Sequence, residues 1–402
     1  MSSPFDNPYR PAPGSLPPEL AGREPQISAA HYASGLTQTG GAAQPVVFTG
    51  LRGMGKTALL RHSVSAAEDM GAVVLYTEAS KEMSLAAALR RSLEHAKAQY
   101  ASVPAKIKRA FDAAIRALPK ATYELPGDGG GITLEARHVE HHEGFVEALE
   151  TLNAEVRRHD RFLLFAIDEI QDGAINDLRV LVRFVHLTAG TAAPVLLLGA
   201  GLPNAPAHLH AVRTYTERWR YSRIGLLERD ETIAAIANPA TIRGVTFEVD
   251  ALERLVDETA GYPFFIQEYA SAAWTEHRGN RVTLRDVDMI APGVRSMLES
   301  SFYDERFRRL TPRELRYALG MADLGVGPQT VGAIASRLGA SSENVSSIRS
   351  QLIKKDVVFV PAAGLVEFRM PLTDRYIARH RAQLERRARF YGRREVTKSV
   401  DS

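Results

Sequence analysis

Eight residues constrain this 402-residue chain more than any others: Gly50-Leu51-Arg52-Gly53-Met54-Gly55-Lys56-Thr57. They spell G-x-x-x-x-G-K-T, a loop whose glycines let successive backbone N–H groups turn inward around a phosphate. The run before it, Pro45-Val46-Val47-Phe48-Thr49, is short, apolar and β-branched, and reads as a buried strand. From Thr57 to Met70 the spacing is helical, and Gly71 stands where a helix C-cap belongs. A bare glycine turn would lack these flanks. With them, the helix's unpaired first-turn N–H groups add partial positive charge to the cradle. Lys56 is then expected to reach the β- and γ-phosphates of a nucleotide, and the Thr57 hydroxyl to ligate Mg²⁺.

A second half of such a site is expected downstream. Arg161-Phe162-Leu163-Leu164-Phe165-Ala166-Ile167 is almost wholly apolar and ends in Asp168-Glu169. A run of this kind suits a central parallel strand covered on both faces, with its acidic end emerging beside the glycine loop. Asp168 is expected to hold Mg²⁺ through its water shell. Glu169 is expected to orient and deprotonate an attacking water, since phosphoryl transfer asks a protein mainly for positioning and charge neutralisation.

The length exceeds what one hydrophobic core organises, so two or three domains are expected. The formal net charge is only +3, so affinity for nucleic acid would have to come from local clusters of basic residues. Cysteine is absent from the sequence, which excludes disulfides, zinc–thiolate sites and thiol catalysis, and is compatible with a reducing cytoplasm. The first residues lack the basic and apolar blocks of a signal peptide, and no apolar run approaches membrane-spanning length. A soluble, cytoplasmic protein with no membrane partner is expected.

Along the chain, residues 1–19 are rich in proline and small residues and read as a flexible arm. Residues 20–228 alternate helical stretches with buried-strand patterns at 71–76, 161–168, 194–199 and 222–227, the pattern of a parallel sheet with helices on both faces. Strand signals then stop. Residues 229–300 read as a small helical lid, with Asp250 and Glu253 spaced as a capping box and Gly261-Tyr262-Pro263 interrupting two helices. In 301–382, Thr311-Pro312-Arg313-Glu314 opens three helices, followed by two apolar runs joined by Pro361-Ala362-Ala363-Gly364. Three helices and a hairpin make a winged helix-turn-helix pattern. Residues 383–402 form a basic tail.

With these residues together, the chain resembles the AAA+/STAND group of P-loop ATPases, and within it the bacterial and archaeal branch with an Orc1/Cdc6-like ATPase domain. The resemblance rests on the loop Gly50 to Thr57, the pair Asp168-Glu169, Leu20-Ala21-Gly22-Arg23-Glu24 and Gly261-Tyr262-Pro263. It implies an α/β P-loop NTPase core of the ASCE type that binds ATP and Mg²⁺. Gly22 and Arg23 would lie near the adenine, Gly50 to Ala58 around the phosphates, and Pro263 of the lid against the nucleotide. The resemblance also implies a polar sensor at the end of the fourth strand, where this chain has Gly199-Ala200-Gly201 and Asn204 is the nearest polar side chain. A lid sensor arginine would stand where Gly-Tyr-Pro occurs. An arginine finger is sought among Arg218, Arg220 and Arg223, with Arg218 the leading choice.

In a winged helix the second helix of the pair enters the major groove of duplex DNA. Here it carries Asn344, Ser347 and Arg349, suited to base edges, and Lys354 and Lys355, suited to phosphates. The arginines from Arg375 to Arg394 add sequence-independent affinity in this reading. The expected protein is an ATP-driven switch coupling nucleotide state to DNA through the winged helix. The alternative is a signalling ATPase whose winged helix docks a partner protein, with slow or no hydrolysis; whether the chain forms a homo-oligomer stays open. His138, His141 and His142 have helical spacing, but a solvated face explains them better than a metal site. Trp219 and Trp274 read as packing residues, and the basic helix from Val103 to Leu118 as an exposed amphipathic insertion.

Overall fold

The computed structural model describes residues 6–12, 14–99, 104–118 and 134–389, with side chains omitted for 134–143. The imidazoles of the 138–142 cluster and the arginines beyond 389 therefore lie outside the described residues. Five parallel strands form the central sheet: β1 (Val46–Thr49), β2 (Ala72–Glu78), β3 (Phe162–Asp168), β4 (Leu196–Gly201) and β5 (Arg220–Arg223). Their order is β2-β3-β4-β1-β5, so one strand separates the glycine-loop strand from the strand ending in Asp168. β3 is buried along its whole length. Leu164 and Ala166 face one core cluster while Leu163, Phe165 and Ile167 face the other, which is why the strand reads as a continuous apolar run.

The predicted fifth strand is shifted. β5 covers Arg220–Arg223, and the chain leaves the sheet once the Ile224 amide has donated to Thr49 at 2.7 Å. The Leu227 amide donates instead to the Gly261 carbonyl at 2.8 Å, so the residues expected to be strand form the hinge to the lid.

Helices Arg229–Ile242, Val249–Thr259, Pro263–Glu276 and Leu284–Glu299 make the lid, with the two-residue strands β6 (Thr246–Phe247) and β7 (Arg281–Val282) beside them. The Asp250/Glu253 capping box does not form. Glu248 is the N-cap and makes no side-chain cap, while Glu253 pairs with Arg229. Boxes form instead at Glu228/Glu231 and Thr283/Asp286, and at the expected Thr311/Glu314. The helix beginning at Leu284 runs without a break through a π-turn, Ser300–Asp304, into Glu305–Arg308. The boundary placed at residue 300 thus lies inside one helix.

Beyond it stand helices Pro312–Asp323, Val331–Leu338 and Ser342–Lys354, and strands β8 (Gln329–Thr330), β9 (Val358–Phe359) and β10 (Leu365–Phe368). The strands pair antiparallel in the order β8-β10-β9. A last helix, Thr373–Arg389, packs Tyr376, Ile377 and Leu384 into the core, so residues 383–389 are helix rather than tail. One apolar cluster runs unbroken from the sheet through the lid to Leu384. The helix Ala105–Ala117 buries Ile107, Ala110, Phe111 and Ala114 in the core on the opposite sheet face, with its basic side outward. Trp274 is buried in the lid core and Trp219 packs against the second cluster, as packing residues do.

The arm is docked, contrary to expectation. Tyr9 is buried, its hydroxyl donates to the Ile236 carbonyl, and its ring meets Trp274 edge-on at 6.3 Å. The Asn7 amide donates to Ser271 Oγ at 2.9 Å, the Arg10 N–H to Gln267 Oε1 at 3.0 Å, and Arg61 to the Gly14 carbonyl at 2.6 Å. Prolines lower the entropy an arm loses on docking, and one buried aromatic then suffices as an anchor.

Candidate functional site

A cavity of about 340 Å³ opens at the carboxyl ends of the strands. Residues 52–58 of the glycine loop form one wall, the lid residues Tyr262, Pro263 and Phe264 a second, and the docked arm from Arg10 to Ala21 a third. Glu169 and Phe302 complete it. The predicted residues Arg23, Arg52, Gly53, Met54, Gly55, Lys56, Thr57, Ala58, Glu169 and Pro263 all line this space.

The loop has the geometry its sequence promises. Gly53 and Gly55 have φ of +74° and +86°, the left-handed region open to glycine, and the helix Lys56–Asp69 starts immediately after. A methyl group on Gly53 would lie 2.1 Å from the Tyr262 hydroxyl, so the lid reaches the loop only because position 53 is glycine. Tyr262 itself donates to the Arg52 carbonyl at 3.0 Å. The sequence pointed to Pro263 and missed Tyr262, whose aromatic ring beside a Gly-Pro pair gave no sign of a cross-domain contact.

Lys56 is buried and donates to the Leu51 carbonyl at 3.0 Å. Burial pulls its pKa below the usual lysine value, with Glu169 and Asp168 pushing back. A phosphate here would supply the missing negative charge. Thr57 Oγ1 donates to Asp168 Oδ2 at 2.7 Å, and the Glu169 N–H to Asp168 Oδ1 at 2.9 Å. A hydroxyl and a carboxylate in contact at the head of a phosphate cradle are the hard oxygen donors Mg²⁺ takes, with phosphate oxygens and water filling the remaining positions. Among the described residues no group of three or more His, Asp or Glu side chains is placed to hold a metal ion.

Gly22 and Arg23 hold the arm's exit. A methyl on Gly22 would meet the Glu231 carboxylate at 2.4 Å, and Glu231 caps the first lid helix. Buried Arg23 donates to the Gly225 carbonyl at 2.7 Å and lies 3.4 Å from the Met54 carbonyl, tying arm, loop and hinge together. Desolvation lowers its pKa, while Glu231 and Glu24 oppose this. Gly50 and Leu51 stand at the start of the loop, where a methyl group on Gly50 would lie 2.4 Å from the Ile224 carbonyl oxygen.

Three more of the expected residues have definite places in the fold. Arg218 precedes β5, and the Arg220 amide donates to Pro45 at the amino edge of β1. Arg218 therefore sits at the opposite sheet edge from Lys56, more than about 13 Å away at ~3.3 Å per strand residue. Arg223, level with Thr49, stands at the other end of the strand, beside the start of the glycine loop. Arg349 shares a helical stripe with buried Val345 and Leu352 and is only partly exposed, with its Nε buried and without a hydrogen-bond partner. Lys355 donates to the Glu314 carboxylate at 2.7 Å and to the Arg309 carbonyl at 2.9 Å, which commits it to the fold. Asn344, Ser347 and Lys354 are exposed as expected. Asn204, the nearest polar residue to the sensor position, is exposed at a helix start.

Residues 19–198 match the family described as AAA ATPase domain, and residues 300–377 a family described only as a domain of unknown function. No protein of curated function matches the sequence. The chain is similar to the Walker-type ATPase of Pyrococcus abyssi, at 14% identity over 89% of this chain and 96% of that one, with a TM-score of 0.54. It is also similar to Cdc6p from Pyrobaculum aerophilum, at 14% identity over 94% and 98% of the two chains, with a TM-score of 0.45. The Aeropyrum pernix Orc1 protein, solved in complex with DNA, is similar at 16% identity over 96% and 98%, with a TM-score of 0.46.

Sheet order, glycine loop and acidic strand end define a P-loop NTPase fold. More narrowly, residues 19–198, which carry the glycine loop and Asp168, match the AAA ATPase domain family. Among the described residues no helix is long and apolar enough to cross a membrane.

Proposed function

We propose that the chain is an Orc1/Cdc6-like ATPase switch in which ATP and Mg²⁺ bind between core and lid, and the nucleotide's state sets how the C-terminal region is presented. One observation carries this reading: the wall of the nucleotide cavity is shared by the glycine loop, the lid's Tyr262 and Phe302 at the π-turn of the helix that enters the C-terminal region. A direct but weak link runs beside it, because Arg52 faces Asp356 at 3.8 Å and both are partly exposed. Switching requires that ATP and ADP contact these walls differently; tight binding alone shifts no equilibrium. Glu169 acts as general base in this reading.

The helix order, β8 and the β9–β10 hairpin support a winged helix, with Asn344, Ser347 and Lys354 offered to duplex DNA. A specific observation favours a protein partner or second copy instead. Arg379 pairs with Glu299, Arg381 with Asp323, Arg387 with the Phe307 and Arg308 carbonyls, and Lys355 with Glu314, so much of the expected positive charge is spent inside the chain. Turnover of ATP by wild type and Lys56→Ala, with and without duplex DNA at low salt and across protein concentrations, separates these readings. DNA-stimulated turnover lost in Lys56→Ala supports the DNA switch. Turnover rising with protein concentration alone supports self-association, and a finger such as Arg218 or Arg223 supplied by a second copy.

A further inference from the structure

The end of β4, where an AAA-type core is expected to carry a polar sensor, has only Gly199-Ala200-Gly201. Another side chain reaches into that place. After Asp168 the backbone turns sharply: Glu169 adopts φ 47° and ψ 41°, a left-handed conformation uncommon for a residue with a side chain, and a short 3₁₀ turn, Ile170–Asp172, follows. The turn brings Gln171, which is 8% exposed, back under Glu169. Its Oε1 accepts the Leu202 N–H at 2.9 Å, and its Nε2 donates to Glu169 Oε2 at 2.7 Å. A longer contact runs from Nε2 to Asp172 Oδ2 at 3.4 Å.

The amide's orientation is dictated by its partners. A backbone N–H only donates, so the oxygen must face Leu202, and the NH₂ is left for the carboxylate. Gly201 makes room, since a methyl there would lie 2.6 Å from Gln171 Oε1. Strain at Glu169, a buried amide with both ends used and a glycine at the contact point together make one clamp between the tips of β3 and β4.

We propose that Gln171 is the positioning residue for ATP hydrolysis in this chain, holding one oxygen of the Glu169 carboxylate so that the other faces the attacking water in the cavity. The proposal rests on the reading of Glu169 as general base. It assigns to the turn after β3 the polar role that the tip of β4 lacks. An immobilised carboxylate matters because misplacement of a base by about 1 Å costs on the order of 100-fold in rate. Gln171 does not line the cavity, so it acts through Glu169 and not on the nucleotide.

The test is steady-state ATP turnover of the full chain for wild type, Gln171→Leu, Gly201→Ala, Glu169→Gln and the double variant Gln171→Leu/Glu169→Gln, with MgADP affinity measured by titration for each. Gln171→Leu should lower kcat roughly 10- to 100-fold, with KM and the ADP Kd within about twofold of wild type. Gly201→Ala, which pushes the amide from its place, should act in the same direction. In the Glu169→Gln background the Gln171 substitution should cost nothing further, because a residue working through another loses its effect when that one is gone. Additive losses in the double variant, an unchanged or raised kcat in Gln171→Leu, or weakened ADP binding in that variant would each overturn the positioning role. If wild type itself turns over no ATP, the hydrolysis reading falls and this inference with it. If wild type is active and only the Gln171 effects are missing, the inference alone falls.

Discussion

Removing one oxygen atom from the lid should weaken nucleotide binding measurably. In Tyr262→Phe the ring keeps its tilted contact with Phe265 at 4.6 Å between centroids, so packing survives. What is lost is the bond from the hydroxyl to the Arg52 carbonyl at 3.0 Å. That carbonyl then stands against a buried ring without its donor, a loss of about 1–2 kcal/mol. Where the bound loop depends on that bond, Kd for MgADP rises by roughly 5- to 30-fold, at 1.4 kcal/mol per factor of ten. Burial drives the Tyr262 phenol above its ordinary pKa, outweighing the opposing Arg306, so the hydroxyl remains a donor at any working pH. The affinity loss should therefore be the same at pH 6.5 and 8.5. Calorimetric titration with MgADP avoids any complication from turnover. A Kd within twofold of wild type at both pH values would refute the argument that the lid orders the loop through this hydroxyl. An effect appearing at only one pH would refute the assignment of its proton.

Three further outcomes are expected. Gly53→Ala should abolish measurable nucleotide binding, checked by the same titration, because φ is +74° and the added methyl meets Tyr262 at 2.1 Å. Tyr9→Ala removes a buried aromatic worth about 3–5 kcal/mol, so limited digestion with a glutamyl endopeptidase should cut after Glu19 much faster than in wild type, and ADP affinity should fall. Glu314→Gln keeps the Thr311 capping acceptor but loses the charge facing Lys355 at 2.7 Å, and should cost about 2 kcal/mol at pH 7. Burial raises the Glu314 pKa, but Lys355 and Thr311 outweigh it and hold the carboxyl below its ordinary value. The folded-state pKa is thus the lower one, so this stabilisation is complete above the unfolded carboxyl pKa and disappears as pH falls through the folded value. Urea denaturation of the two proteins should differ at pH 7 and converge only once the pH has fallen below the ordinary carboxylate range.

The phosphate end of the site was legible because its chemistry is written in consecutive residues. The turn needs glycines at Gly53 and Gly55, and an unbroken apolar run ending in Asp168-Glu169 marks a buried strand by itself, so each half was readable from local pattern although Thr57 and Asp168 meet across 111 positions. Tyr262, Gln171 and the docked arm were not legible, for a shared reason. Each works through a contact with residues distant in sequence, such as Tyr9 with Ile236 or Gln171 with Leu202. A proline-rich arm reads as flexible until an aromatic anchor finds a lid to bury in. Arg349 and Lys355 misled in the opposite direction. Basic residues at the expected spacing look available, yet one lies on the buried stripe of its helix and the other serves a cap on a neighbouring helix. Charge counted along the sequence takes no account of partners already present in the fold.

The unbroken helix from Leu284 to Arg308 leaves the lid and the C-terminal region without a linker between them. At 1.5 Å per residue it is roughly 37 Å long, so a bend of about 10° at one end sweeps the other through some 6 Å. Independent tumbling of the two parts would require melting helical turns. The cheapest place to change direction is the π-turn at Ser300–Asp304, whose hydrogen bonds already depart from α geometry. Phe302 sits in that turn and lines the cavity, so in the proposed switch a bound nucleotide would meet the axle at the one point where it bends most readily.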